Sequence, residues 1–127
     1  MEYVEKGGPT LGALYRLATT NPAVGEALLY FGRGGEPFFD LYKAFEVIRD
    51  TLGGTEKLAT LGIASRAECE RFTRSANDPT ISGVFARHSL KYSERMANPM
   101  DQHSARTFVR CTFQRWLAHL LSTRSDA

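Results

Sequence analysis

Apolar residues recur along this chain every three or four positions and almost nowhere every second one, a pattern that predicts helices and argues against strands. The first such run follows Pro9 and Thr10, a pair suited to a helix start, and sets Leu11, Leu14, Tyr15 and Ala18 at helical spacing. A second opens with Asn21 as cap and Pro22 in the first helical position, with Gly32 as its expected stop. The strongest pattern is "EPFFDLYKAFEVIRDTLGG". There Phe38, Leu41, Phe45, Ile48 and Leu52 form one stripe, Lys43, Glu46 and Asp50 project elsewhere, and Gly53 and Gly54 end the helix.

Further along, Ser65 and Glu68 make an S-x-x-E capping box, so a helix is expected from Arg66 to about Ala76, and Pro79 bars its simple continuation. The last helix is capped by Asp101. Its apolar stripe holds Ala105, Phe108, Val109, Thr112, Phe113, Trp116 and Leu120, whereas His103, Arg106, Arg110 and Gln114 fall towards the other side. The glycines of "GRGGEP" lack the Lys-Ser/Thr and the preceding strand of a phosphate loop, and read as a connection. Together these elements predict an all-α fold: one domain over residues 1–127, a bundle of four to six helices, with 1–8 and 122–127 as frayed ends.

Composition agrees with a single packed core, since the 43% hydrophobic and 24% charged shares are those of ordinary globular chains. No apolar run approaches the roughly 20 residues of a membrane span, and "MEYVEKGGPT" has neither the basic start nor the apolar stretch of a signal peptide. The expected location is the cytoplasm, away from membranes. In that compartment Cys69 and Cys111 are expected as reduced, half-buried thiols. Charge is uneven: residues 85–127 carry seven Lys or Arg against three Asp or Glu, residues 1–65 six against eight. A basic last third favours an anionic partner such as RNA.

One stretch concentrates the chemistry. "FTRSANDPTISGVFARHS", residues 72 to 89, is small and polar between apolar neighbours and ends in Arg87 and His88. An imidazole with an unperturbed pKa of about 6.5 is suited to taking the proton of an RNA 2′-hydroxyl, and a guanidinium to steadying the crowded phosphorane that follows. The candidate catalytic set is therefore His88 as base, Arg87 as cation, Asn77 to orient phosphate or imidazole, and Glu46 to hold an arginine across the bundle. Arg74, Lys91, Arg106 and Arg110 are the candidate nucleic-acid contacts.

The same residues have a structural reading. Arg87 and His88 suit a helix end, with Arg87 bridging to Glu46 or Asp50 as a clasp; Asn77 suits a helix cap, and Arg106 with Arg110 a solvated face. Tyr42, Lys43 and Glu46 read as a helix-surface hydrogen-bond and ion-pair set, and Trp116 with the phenylalanines as core. No metal or other cofactor is expected, because His103 and His119 stand 16 residues apart and no cysteine or acidic partner completes a site.

The runs "LYKAFEVIRDTLGG", "RFTRSANDPTISGVFARHS" and "NPMDQHSARTFVRCTFQRWL" resemble a group of uncharacterised bacterial proteins that share an F-x-x-[ST]-A-N segment, A-R-H, and a P-M turn before the final helix; the likeness covers roughly residues 36–117. More distantly, the chain is similar to HEPN domains, helical bundles of ribonuclease toxins and phage-defence proteins. What carries that likeness is the order of a long glutamate-bearing helix, a helix leading into an arginine, asparagine and histidine cluster, and a terminal amphipathic helix. The resemblance implies a HEPN-like bundle that binds RNA or a protein partner, a metal-independent endoribonuclease site, and a homodimer whose two sites face one cleft. The chain departs from the usual motif, in which a few residues separate Arg from His: Arg87 directly precedes His88, and Arg74 lies farther upstream. The alternative, from another class, is a non-catalytic adaptor or regulator whose Arg-His segment is a structural clasp. A small-molecule sensor is a third reading, since an interhelical pocket leaves little trace in one sequence.

Overall fold

A computed structural model describes residues 10–33, 37–77 and 98–125. Six helices account for nearly all of them, and no strand occurs among the described residues. We label them α1 (Leu11–Thr20), α2 (Pro22–Arg33), α3 (Pro37–Leu52), α4 (Thr55–Thr60), α5 (Arg66–Asn77) and α6 (Gln102–Ser125). The all-α bundle expected from the periodicity is the fold observed.

Local chemistry sets most boundaries. Thr10 Oγ1 accepts the Ala13 amide at 3.1 Å and starts α1; Asn21 Oδ1 accepts the Ala23 amide at 3.1 Å and starts α2. The Gly53 and Gly54 amides both donate to Arg49 O, at 3.1 and 2.9 Å, and these glycines have φ of 98° and 130°, which side chains rarely tolerate. The Ser65–Glu68 capping box forms as the motif requires, the Glu68 amide donating to Ser65 Oγ at 3.1 Å. At the last helix Asp101 Oδ1 accepts the Ser104 amide at 2.7 Å.

α3 is the central element. It packs along α2 on one side and α6 on another, α1 covers α2, and α4 and α5 close the remaining side. The predicted stripes supply the core: Phe38, Leu41, Phe45 and Ile48 of α3 are buried, as are Ala105, Phe108, Val109, Thr112, Phe113 and Trp116 of α6. Phe72 of α5 joins the two, with ring centroids 5.2 Å from Phe45 and 5.3 Å from Phe108. Burying each such ring contributes about 1.5–3 kcal/mol. No helix among the described residues is long and apolar enough to cross a membrane.

Four expectations are corrected. α2 runs through Gly32 to Arg33, because a glycine lowers helix stability without ending it. α6 continues to Ser125 where a frayed tail was expected; Thr123 Oγ1 turns back to Leu120 O at 3.0 Å, so the polar run remains within the helix. Tyr42 is not a surface residue: it is buried and its ring stacks on Phe72 with centroids 6.3 Å apart, one turn from Phe45 on the same stripe. Leu11 and Tyr15 carry the periodicity of α1 yet are 85% and 70% exposed, leaving Leu17 as that helix's buried anchor.

Candidate functional site

The predicted residues divide into three groups by where the chain carries them. Arg87, His88 and Lys91 lie outside the described residues. Glu46 lies on α3, and Arg74 and Asn77 lie on α5. Arg106 and Arg110 lie on the exposed side of α6.

On α3, Glu46 is flanked by two cations of its own helix. Lys43 Nζ donates to Glu46 Oε1 at 3.1 Å, and Arg49 Nη2 lies 3.6 Å from Oε2. Arg49, three residues on in the same helix, is among the partners of Glu46, whereas the sequence reading expected Glu46 to hold an arginine across the bundle. Arg49 also donates from Nε to Asp50 Oδ1 at 3.0 Å and from Nη1 to the Tyr42 hydroxyl at 3.4 Å. Burial works to lower the pKa of this guanidinium, but the Tyr42 and Asp50 interactions outweigh it and raise the value above the ordinary arginine range.

Arg49 also lines an open cavity of about 330 Å³ together with Arg74 of α5, and Thr55, Thr73, Glu70 and Cys69 are the other lining residues among those described. Two guanidinium groups and two hydroxyls around one recess suit an oxyanion. Burial, together with the charge of Glu68, pushes the Cys69 thiol up to about 11, so it stays protonated at neutral pH and supplies no nucleophile. What the cavity can do chemically is bind. Asn77, one turn beyond Arg74, is 3% exposed, and its Oδ1 is buried without a hydrogen-bond partner among the described residues.

Arg106 and Arg110 do not line this cavity. The Arg106 guanidinium lies 4.3 Å from the centroid of the Phe31 ring and donates to Phe31 O at 3.4 Å, tying α6 to the end of α2; Arg110 is exposed one turn on. Gln114, assigned from the sequence to the same outward side, is half-buried with a buried Oε1.

Three arginines that sequence reasoning passed over have defined roles. Arg49 could have been found from its i, i+3 spacing to Glu46. Arg71 and Arg115 could not: Arg71 donates to Asn98 O at 2.6 Å and Pro99 O at 3.2 Å, and Arg115 to Ile63 O at 3.0 Å, contacts between segments far apart in the chain. Among the described residues no three His, Cys, Asp or Glu side chains gather as metal ligands would. Comparison of the chain with protein-family models, with curated proteins and with solved structures gives no match.

Proposed function

We propose that the protein is a helical RNA-binding domain of HEPN-like architecture, with metal-independent RNA cleavage by His88 and Arg87 as its catalytic form. The observation that supports this reading best is the open recess in which Arg74 meets Arg49 beside Thr55 and Thr73. Guanidinium forks match phosphate oxygens, and such contacts position a nucleic-acid backbone without reading its sequence. α5 leads from this recess into the segment that bears Arg87, His88 and Lys91, and the basic excess of the last third adds to the attraction. The same reading has the protein working in the cytoplasm and, by analogy with HEPN domains, as a homodimer.

Fluorescence anisotropy with a labelled single-stranded RNA, followed across a salt series, tests the binding. Arg74→Gln is expected to weaken it and to lower the slope of log affinity against log salt by about one. Indistinguishable curves would remove the recess from the interface. Incubation with total RNA beside His88→Ala tests the chemistry: loss of products in the variant supports cleavage, and identical products exclude it from this site.

A second reading, a non-catalytic adaptor with a structural clasp, is favoured by a specific observation. Arg71, Arg106 and Arg115 give donors to backbone carbonyls, and Arg49 is held by Glu46 and Asp50. Arginine in this molecule often serves as a tie between segments. Failure of the protein to bind RNA even at low salt would decide for the adaptor.

A further inference from the structure

Between α5 and α6 lies a second recess, of about 320 Å³. Its α6 wall repeats every fourth residue, so that His103, Thr107, Cys111 and Arg115 form one polar stripe. Glu68 and Arg71 face it from α5, and the buried side chains of Met100 and Phe108 supply the apolar part of the lining. Among the described residues two arginines against one glutamate leave the recess cationic.

The donors are incompletely used. Arg115 gives Nη1 to Ile63 O, which leaves Nη2, while its Nε is buried out of a ligand's reach. Arg71 gives Nε and Nη2 to the Asn98 and Pro99 carbonyls, which leaves Nη1. Guanidinium N–H groups left over from these contacts match the oxygens of an oxyanion. We propose that this recess binds a small organic oxyanion, a carboxylate or phosphate monoester whose charged oxygens take the remaining guanidinium donors while its apolar body packs on Met100 and Phe108. A few polar groups converging beside apolar side chains is the usual composition of such a site.

The half-buried Cys111 thiol provides a reporter inside the recess. Cys69 is buried and its thiol is pushed up to about 11, so a disulfide-exchange reagent near neutral pH reads Cys111 first. The probes, added to the full-length chain, are benzoate, phenyl phosphate, inorganic phosphate and a short single-stranded RNA. One of the two aryl anions at saturation is expected to slow Cys111 modification by about tenfold, and the more effective of them identifies carboxylate or phosphate as the preferred group. The protection should vanish in Arg115→Met. Because Arg115 also holds Ile63, Thr107→Tyr, which fills the recess without touching that contact, is the second variant and should abolish protection as well.

No protection by either aryl anion overturns the proposal, as does protection that persists in Thr107→Tyr. Equal protection by inorganic phosphate would show that the apolar lining contributes nothing, and protection by RNA alone would assign the recess to nucleic acid; either result rejects a small organic ligand. The two recesses share no lining residue among the described residues, so this inference does not depend on the proposed RNA-binding function.

Discussion

At the scale of single residues, stability depends on a few rings. Phe72 is fully buried and lies against Tyr42, Phe45 and Phe108, so it connects α3, α5 and α6. Phe72→Ala is expected to cost about 3–5 kcal/mol, read as a fall in the urea midpoint, a large part of the roughly 5–15 kcal/mol that stabilises a domain. Leu11→Ala is the contrast: with its side chain exposed, the same measurement should move by about 0.5 kcal/mol or less. Both are leucine-like or aromatic positions on a helical stripe, and only the coordinates distinguish the one that packs from the one that does not.

At the scale of elements, the caps carry the argument. Ser65→Ala removes the acceptor of the Glu68 amide and should cost about 1 kcal/mol in the same assay. Asp101 gives a pH signature. Hydrogen bonds from the Ser104 amide and hydroxyl hold its carboxyl below the ordinary range, against a small opposing effect of burial, with His103 and Arg71 adding to the lowering. A depressed folded value means that the ionised group stabilises the fold above the unfolded value and that this contribution fades as pH falls through the folded one. The advantage of wild type over Asp101→Ala should accordingly shrink on acidification, measured as urea midpoints from neutral pH to acid. These caps were legible in the sequence because each is a local motif: Thr10, Asn21, Ser65 with Glu68, and Asp101 act on amides two or three residues away. α4 was not legible, since six residues are too few to display a helical period. It exists because Leu58 and Ile63 are buried in the core around the turn at Gly62, where φ is 73°.

At the scale of the whole molecule, long-range arginine contacts tie the bundle together, and they explain why the candidate site was only partly readable. Glu46 and Arg74 could be picked out as charged residues on amphipathic helices, but the side chain that relates them, Arg49, acquires its meaning from how α3 and α5 pack. Arg71 shows the same principle, reaching across 27 residues of sequence to Asn98 O. Arg71→Lys keeps the charge and loses the planar fork, and is expected to destabilise by about 1 kcal/mol, with faster hydrogen exchange at the Met100 amide, which Ser75 Oγ accepts at 2.9 Å. The chain's single tryptophan adds a practical consequence. Trp116 is wholly enclosed, and its indole N–H finds no acceptor among the described residues. Native protein should therefore emit at the blue end of the indole range and shift to the red as water reaches that one ring, so intrinsic fluorescence reads the opening of the interior from a single known position, without any added dye.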